Sequence, residues 1–426
     1  MIFVYRFLTT FLYPIFVIII FLRIFLKKED KYRYKEKIFS SAFKPSKNLN
    51  KKLIWLHASS IGELLSIIPL IDELNKFNKN LEFLVTTVTL SSANLIEKKL
   101  CEHNNINHRF FPVDNQFLVT SFLNAWRPNL VCFVDSEIWP NFLYQIKERK
   151  IPLILLNARL TKKTLMKWKI FPKFAKKVFN NFDLCLASSE DSKKNLEQIG
   201  VKKINYIGNI KFCAKTNLEE KISDANKSVL SEFNIWCAVS THQGEEEIII
   251  KTHLNLKKII KNIKTIIIPR HINRVVNINS LIAKYKLIPQ ILNEGELINK
   301  KTEIIVINSF GVLEKYFEYC KIVFVGKSLL KNLKNVGGQN PIEAAKLGCK
   351  IFHGPYVYNF KEIYEFLNSN DIAIQVHNEQ DLSSKLLESF ESKDISSTRY
   401  IDNLEKYGDK ILIETISNIK NYINIY

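Results

Sequence analysis

The chain has 426 residues, of which 46% are hydrophobic and 24% charged, a composition that can build substantial cores and excludes an intrinsically disordered chain. This length exceeds that of one ordinary domain and suits two. Lysine and arginine number 62 against 42 acidic residues, and the formal net charge of +20 favours anionic partners such as nucleic acid, acidic lipid or phosphorylated substrates. Because lysine is abundant throughout while glycine is scarce, any single lysine is first read as solvated surface.

The seven cysteines form no CxxC pair, and this spacing favours neither a zinc site nor a disulfide framework. A reducing compartment is therefore indicated. The eight histidines form no HExxH or HxH pattern. We expect neither a metal site nor a bound cofactor.

The first 26 residues, MIFVYRFLTTFLYPIFVIIIFLRIFL, are nearly all apolar and end against the basic stretch KKEDKYRYKEK. A helix of this length can span a bilayer, and the basic flank would hold the rest of the chain in the cytoplasm. No small-residue cleavage site follows, which argues against a cleaved signal peptide. Arg6 and Pro14 keep open a helix that lies in the membrane interface. Residues 1–26 are thus predicted to be a membrane anchor.

Beyond the anchor, short apolar runs alternate with amphipathic stretches, which is the pattern of parallel sheets with helical crossovers. The predicted strands are 52–58, 81–89, 129–135, 151–158, 183–188, 235–240, 264–270, 302–309, 321–326 and 349–354. Helices are predicted between them, for example at 62–78 and 91–102. The sequence therefore predicts an α/β protein.

The alternation falls into two halves separated by the polar run at 213–230, which is predicted to be a linker or a bridging helix. Residues 27–212 and 231–395 are then two Rossmann-like domains facing a cleft, and 396–426 are C-terminal helices. Ligands of such sheets bind beyond the carboxyl ends of the strands. Candidate site residues are accordingly sought where predicted strands end.

In the first half, HASSIGELLS (57–66) follows a predicted strand. It lacks the G-x-S-x-G pattern of a hydrolase, so a serine nucleophile has little support. Ser59 or Ser60 is expected to cap a helix, and Glu63 in its first turn is a candidate general base. The stretch FVDSEIWPNF (133–142) ends another strand with two carboxylates, which are costly to bury unless they are paired or used.

In the second half, GGQNPIEAAKLG (337–348) gives the strongest signal for phosphate binding. Its glycine pair lets the backbone approach a ligand, and Pro341 suits the first turn of a helix whose N-terminus attracts anions. Glu343 could accept hydrogen bonds from ribose hydroxyls or merely complement the helix dipole. The segment matches neither a P-loop nor a GxGxxG motif.

Two further segments follow predicted strands. STHQGEEE (240–247) is well explained as a helix cap and could also present backbone N–H groups to a ligand. PRHINR (269–274) supplies Arg270 and Arg274, whose guanidinium forks suit phosphate.

Together these motifs resemble the 3-deoxy-D-manno-octulosonic acid (Kdo) transferases of lipopolysaccharide synthesis. The segments that carry the resemblance are WLHASSIGE, DSEIWPNF, NARLT, GNIKF, STHQGEEE, PRHINR and GGQNPIEAAKLG. The resemblance implies a GT-B glycosyltransferase with no essential metal, CMP-Kdo as donor and the lipid A precursor lipid IVA as acceptor. It also implies a protein bound to the inner membrane, with its catalytic domains on the cytoplasmic side.

The resemblance also implies roles for individual residues. Glu63 of SIGE corresponds to the proton acceptor, and Glu137 of DSE and Lys211 of GNIK to residues that stabilise the transition state. The residues that correspond to the CMP-binding segments are Pro269, Arg270, Phe310, Gly311, Val312, Asn340, Pro341, Ile342 and Glu343.

Two alternatives remain open from the sequence. A GT-B enzyme with a UDP-sugar donor would keep the same fold. A membrane-tethered nucleic-acid-binding protein would use the positive charge, but no RRM, KH or helix-turn-helix pattern is present, and we expect no nucleic-acid partner.

Overall fold

The computed structural model describes residues 1–45, 51–100, 104–215, 221–392 and 398–423. The chain divides into two compact units. The first comprises Met1–Lys215 and Tyr407–Tyr426, and the second comprises Thr216–Lys406. Each unit is built around a parallel sheet of seven strands with helices in the crossovers, so the predicted α/β class is confirmed.

The sheet of the first unit has the strand order β3-β2-β1-β4-β5-β6-β7. Its strands are β1 (Lys52–His57), β2 (Leu81–Thr87), β3 (Ile106–Phe110), β4 (Leu130–Val134), β5 (Leu153–Ala158), β6 (Leu184–Ala187) and β7 (Ile204–Tyr206). The central strands are apolar and buried along their length because helices cover both faces of the sheet. The order reverses between β1 and β4, and crevices that bind ligands form at such a point.

The described part of the chain up to Lys215 contains ten α-helices. They are α1 (Ile2–Phe11), α2 (Tyr13–Phe25), α3 (Lys35–Ile38), α4 (Ile61–Phe77), α5 (Leu90–Leu100), α6 (Gln116–Trp126), α7 (Pro140–Glu148), α8 (Lys162–Trp168), α9 (Pro172–Phe179) and α10 (Glu190–Ile199). The helices predicted at 62–78 and 91–102 correspond to α4 and α5 and are confirmed.

The sheet of the second unit has the order β10-β11-β9-β8-β12-β13-β14 and reverses between β8 and β12. Its strands are β8 (Asn234–Thr241), β9 (Ile263–Pro269), β10 (Pro289–Leu292), β11 (Ile304–Ile307), β12 (Ile322–Val325), β13 (Lys350–His353) and β14 (Ala373–Gln375). The remaining helices are α11 (Asp224–Ser231), α12 (Glu245–Lys257), α13 (Val275–Lys284), α14 (Leu313–Phe317), α15 (Ile342–Lys346), α16 (Lys361–Ser369), α17 (Glu379–Glu391) and α18 (Thr398–Ile423).

The N-terminal apolar segment is two helices rather than the one predicted. Pro14 lies in the first turn of α2, where its missing N–H interrupts the helical hydrogen bonds between α1 and α2. No single helix in the described part of the chain is long and apolar enough to cross a membrane; α1 and α2 reach that length and composition only as a pair bent by 50°. The tyrosine hydroxyl of Tyr5 ties α1 to the first unit by donating to Asp114 at 2.8 Å.

The predicted linker at 213–230 lies partly outside the described residues. Its C-terminal part forms all of α11 except the last residue, and Asn226 of that helix bonds to the backbone of Glu296 and Ile298 in the second unit. The C-terminal segment contains one long helix, α18, which begins in the second unit and ends in the first. The predicted domain boundaries themselves stay predictions.

Candidate active site

Glu63 lies in the first turn of α4, shortly after the end of β1, at the carboxyl edge of the first sheet. Ser60 caps α4 by accepting a hydrogen bond from the backbone N–H of Glu63, as in a capping box. The Glu63 carboxylate in turn accepts from the backbone N–H of Ser59 at 2.7 Å and from the hydroxyl of Ser60 at 2.8 Å. The helix cap thus fixes the carboxylate in one orientation, and both serines act as positioning residues.

Burial changes the acidity of Glu63. Only 8% of the residue is exposed, and burial, assisted by the nearby negative charges of Asp135 and Glu137, raises its pKa. The hydrogen bonds from Ser59 and Ser60 oppose this rise because they stabilise the ionised carboxylate. A carboxylate with these properties can accept a proton more readily than an ordinary exposed glutamate.

Glu137 follows β4, the strand next to β1, and has the opposite acidity. Its carboxylate accepts from the indole N–H of Trp139 at 2.7 Å and lies 3.2 Å from Nε2 of His57. Burial alone would raise the pKa of Glu137, but the hydrogen bonds from His57, Trp139 and Ser59 outweigh it and lower the pKa. Glu137 is therefore held as a carboxylate.

Lys211 follows β7 in a short 3-10 turn and pairs with Asp135, the residue after β4. The ammonium lies 2.9 Å from Oδ2 of Asp135, and both side chains are mostly buried. Asp135 has a φ of 66° and Asn157 of β5 a φ of 52°, a left-handed conformation that is uncommon outside glycine and that Asp and Asn tolerate better than other residues. Oδ1 of Asp135 and Nδ2 of Asn157 are buried without a hydrogen-bond partner in the described structure. Such features concentrate at functional sites.

The structure thus brings Glu63, Glu137 and Lys211 to one edge of the first sheet. Glu63 and Glu137 follow predicted strands, whereas Lys211 follows β7, which was not predicted. Two participants were not identified in advance. One is His57, whose contact with Glu137 depends on the pairing of β1 with β4. Asn157, whose side chain accepts from the N–H of Ile210, gave no signal beyond its place in NARLT.

In the second unit, Pro269 ends β9 and the exposed Arg270 follows it. The backbone N–H of Arg270 donates to the carbonyl of Thr241, which leaves its side chain at the carboxyl edge of the sheet. Arg274, the other arginine of the segment, makes a bidentate pair with the buried carboxylate of Glu246 at 2.7 and 3.0 Å. This pair accounts for Arg274 as a structural residue.

The loop after β11 carries three of the residues predicted to bind CMP. Phe310 is 67% exposed, Gly311 has a φ of 74°, and Val312 is buried at the start of α14. The positive φ requires glycine or a residue that tolerates the left-handed conformation. The loop therefore exposes the ring of Phe310 and the backbone of Gly311, while the buried Val312 anchors it.

The segment from Asn340 to Glu343 leads into the short helix α15. The side chain of Asn340 accepts from the N–H of Ile342, while Pro341 and Ile342 are buried. Burial and the neighbouring charge of Glu314 raise the pKa of Glu343 to about 7. Before this segment, Gly337 has no room for a side chain, because a Cβ there would lie 2.0 Å from the carbonyl oxygen of Tyr356.

Glu245 is a residue of the second unit whose role the sequence did not reveal. It is fully buried, and its carboxylate accepts the backbone N–H groups of His242, Lys327, Ser328 and Leu329 at 2.6–3.1 Å. The sequence predicts only that STHQGEEE caps a helix. The structure instead shows an anchor for the loop that follows β12.

No group of three or more His, Cys, Asp or Glu side chains able to hold a metal ion occurs among the described residues. The expectation that catalysis needs no metal stays a prediction.

Comparison with known proteins adds to this geometry. The sequence model of a family described as 3-deoxy-D-manno-octulosonic-acid transferase (kdotransferase) matches residues 32–214. A 3-deoxy-D-manno-octulosonic acid transferase of Rickettsia bellii is 30% identical over 96% of this chain and 97% of its own length. The transferase of the same name from Haemophilus influenzae is 28% identical over 87% of this chain and 86% of its own.

Solved structures share the fold. A putative UDP-N-acetylglucosamine 2-epimerase from Listeria monocytogenes superposes with a TM-score of 0.58 and 13% identity, covering 88% of this chain and 97% of that one. A glycosyltransferase from Rickettsia africae gives a TM-score of 0.56 and 13% identity, covering 88% of this chain and 100% of that one. At this identity the likeness concerns the GT-B fold alone. On the evidence of its sequence relatives, the chain belongs to the 3-deoxy-D-manno-octulosonic acid transferase family.

Proposed function

We propose that the protein transfers Kdo from CMP-Kdo to lipid IVA with inversion at the anomeric carbon, and that Glu63 is the general base. The observation that carries this proposal is the pair of neighbouring carboxylates, Glu63 and Glu137, whose pKa values are shifted in opposite directions. When two carboxylates have different pKa values, one can accept a proton while the other stays ionised. Here Glu63 is the proton acceptor and Glu137 the fixed negative charge.

In the proposed reaction a hydroxyl of lipid IVA gives its proton to Glu63 while its oxygen bonds to the anomeric carbon of Kdo. The bond from that carbon to the phosphate oxygen breaks, and CMP leaves with the bonding electrons. One displacement of this kind inverts the anomeric centre. The transition state has oxocarbenium character, which the fixed carboxylate of Glu137 stabilises by its charge.

Lys211 contributes positive charge on the same edge of the sheet. Its pairing with Asp135 fixes the ammonium in place, so a phosphate can be met by a charge that does not need to be reoriented. Charge and backbone N–H groups can neutralise a departing phosphate without a metal ion. No metal is therefore included in the proposed mechanism.

For donor binding we propose the three segments of the second unit described above. Arg270 supplies a guanidinium for phosphate, Phe310 an exposed ring, and Glu343 a carboxylate for ribose hydroxyls. The supporting residues are Pro269, Gly311, Val312, Asn340, Pro341 and Ile342, which shape the backbone around these groups.

We further propose that the protein is bound to the inner membrane with both units on the cytoplasmic side. The support is the exposed apolar surface of α1 and α2, on which Phe3, Phe7, Phe11 and Phe25 are 68–86% exposed. Next to it, the ring of Phe174 in α9 lies 6.4 Å from that of Tyr5. The neighbouring surface of α8 and α9 exposes apolar and basic side chains suited to anionic lipid: Met166, Ile170, Phe171, Lys162, Lys163, Lys167, Lys169, Lys173, Lys176 and Lys177.

Vesicle sedimentation tests the membrane proposal. We expect the full chain to sediment with vesicles containing anionic lipid, and removal of residues 1–26 to weaken this binding. If the intact protein stays in the supernatant at every lipid composition, the proposal is wrong.

Donor competition tests the reaction itself. Purified protein is incubated with lipid IVA and either CMP-Kdo or a panel of UDP-sugars. The mass of the lipid product is then determined by mass spectrometry. We expect a gain of Kdo with CMP-Kdo and no product with UDP-sugars. Transfer from a UDP-sugar and not from CMP-Kdo would favour the alternative GT-B enzyme.

A further inference from the structure

A continuous chain of hydrogen bonds leads from the core of the first sheet to Glu137. Nε1 of Trp55 donates to Oγ1 of Thr86 at 2.9 Å, and that hydroxyl lies 3.0 Å from Nδ1 of His57. Nε2 of His57 lies 3.2 Å from the carboxylate of Glu137. Trp55, Thr86 and His57 have no exposed surface at all. These hydrogen bonds are therefore shielded from water as far as Glu137.

The register of the sheet creates this arrangement. His57, the last residue of β1, pairs with Thr86 of β2 on one side and with Phe133 of β4 on the other. The imidazole also stacks on the ring of Phe111, with centroids 3.8 Å apart and planes inclined by 20°. With neighbours on every side, the ring has one orientation.

Nε2 of His57 must carry a proton, because the ionised carboxylate that faces it can only accept. An indole N–H can only donate, so the hydroxyl of Thr86 accepts from Trp55 and has its own proton left to donate. That proton satisfies Nδ1 of a neutral imidazole, and Nε2–H then points at Glu137. If the ring is doubly protonated, Nδ1–H can donate to the carbonyl oxygen of Thr86, 3.1 Å away, and Nε2–H still faces Glu137.

We propose that His57 is a positioning residue of the transfer reaction: its buried Nε2–H holds the carboxylate of Glu137 ionised and in place beside Glu63. The inference rests on the proposed function and deepens it. Without this donor, the negative charges of Glu63 and Glu137 would favour protonation of one of the two carboxylates, because like charges oppose each other's ionisation. With it, Glu137 stays charged and Glu63 is left to accept the proton of the acceptor hydroxyl.

Three further charged groups lie around His57 and Glu137. Glu63 projects from α4, Asp135 follows β4, and Lys211 pairs with Asp135. Ser59 bonds to Glu63 and also lowers the pKa of Glu137 by a hydrogen bond. Trp139 supplies the second donor to Glu137. His57 is the only one of these groups joined to Glu137 that can itself take up a proton.

Two substitutions distinguish the roles of the two imidazole nitrogens. In His57→Gln the amide nitrogen can occupy the place of Nε2 and still donate to Glu137, whereas in His57→Asn the shorter amide reaches only Thr86. We expect His57→Asn to lower kcat by ~10²-fold with KM for CMP-Kdo nearly unchanged, and His57→Gln to keep kcat within about tenfold of wild type. Glu63 sets the acid limb of the wild-type pH–rate profile, and the reaction needs both carboxylates ionised. In His57→Asn alone the limb should move upward by about one pH unit, since Glu137 loses a donor to its charged form and then also titrates in this range.

His108 provides a matched control, because it is also buried in this sheet and bonds to the hydroxyl of Thr87 at 2.9 Å. We expect His108→Asn to leave the position of the acid limb unchanged. The proposal is overturned if His57→Asn keeps the wild-type kcat and acid limb, or if folded His57→Gln is as impaired as His57→Asn.

A measurement on the wild-type protein covers the case in which His57→Asn does not fold. Nitrogen-15 NMR of histidine-labelled protein in detergent reports which ring nitrogen is protonated. Protonated Nε2 with bare Nδ1 at neutral pH, or protonation of both, supports the proposal, and a ring protonated at Nδ1 alone overturns it. If wild-type protein transfers no Kdo at all, the proposed function fails whatever the state of His57, so the two failures are distinguishable.

Discussion

Glu63 and Glu137 follow the neighbouring strands β1 and β4, yet the pKa of Glu63 is raised and that of Glu137 is lowered. The difference comes from what surrounds each carboxylate. Glu137 also receives N–H groups from His57 and Trp139, while Glu63 lies deeper and near two negative charges. Two neighbouring carboxylates are thus suited to different tasks.

This difference predicts the pH dependence of the reaction. Since Glu63 must be ionised to accept a proton and its pKa is raised, activity should fall as the pH drops through a value above that of an ordinary glutamate. We expect kcat measured with saturating CMP-Kdo and lipid IVA to show this acid limb. If kcat is constant down to the pH at which ordinary glutamates titrate, the base is not a buried carboxylate.

The pair of Lys211 and Asp135 predicts separate effects on stability and on rate. Lys211→Met leaves the mostly buried Asp135 uncompensated, and we expect the free energy of unfolding to fall by about 1–3 kcal/mol, less than for a fully buried pair. Adding Asp135→Asn removes the stranded charge and suits the left-handed φ at this position. Urea unfolding should show stability recovered in the double variant, while kcat stays low.

Recovery of both stability and kcat in that double variant would contradict a role for Lys211 in the reaction. It would show that the lysine serves only to neutralise Asp135.

Glu343 predicts a pH dependence of donor binding near neutrality. With a pKa of about 7, its carboxylate ionises as the pH rises through that value, and only the ionised form accepts hydrogen bonds from ribose with both oxygens. We expect KM for CMP-Kdo to fall by about tenfold between pH 6 and 8, and to be high and independent of pH in Glu343→Gln.

The neighbouring Glu314 supplies the control for this effect. Its charge contributes to the raised pKa of Glu343, so Glu314→Gln should move the change in KM to lower pH. A KM that varies with pH equally in wild type and Glu343→Gln would assign the titration to another group.

Glu245 predicts a local effect on the loop after β12. In Glu245→Gln an amide NH₂ would face backbone N–H groups, and at least one acceptor is lost from the carboxylate that binds four of them. Hydrogen exchange followed by mass spectrometry should show the amides of 327–329 exchanging faster, on the order of 10²-fold. Glu247→Gln, on the same helix but facing Tyr285 and Lys251, should leave their exchange unchanged.

Periodicity predicted the central strands of both sheets because they are apolar on both faces. The unpredicted strands are β3, β7, β10 and β14, which lie at sheet edges. An edge strand is covered less completely, so its sequence need not be a continuous apolar run: β3 reads INHRF. The bend between α1 and α2 was likewise missed, although Pro14 marks its place.

The site residues were predicted where a motif places them at a strand end. Glu63 and Glu137 follow the predicted strands β1 and β4, and their grouping needed only the topology of a parallel sheet. Lys211 follows the unpredicted β7, so only its motif GNIK singled it out. The partners that set their acidity were not predictable, because they depend on side chains from neighbouring strands meeting in one register. The contact of His57 with Glu137 and the four N–H groups around Glu245 are of this kind.

The central claim is that Glu63 is the base of Kdo transfer to lipid IVA. The most direct test compares wild type, Glu63→Gln and the control Glu73→Gln, which changes a more exposed glutamate of the same helix. Each is incubated with CMP-Kdo and lipid IVA, and the Kdo-bearing lipid is quantified over time by mass spectrometry. We expect Glu63→Gln to lose ~10²- to 10⁴-fold in kcat while Glu73→Gln keeps the wild-type rate. Formation of the product by folded Glu63→Gln at the wild-type rate would contradict the claim.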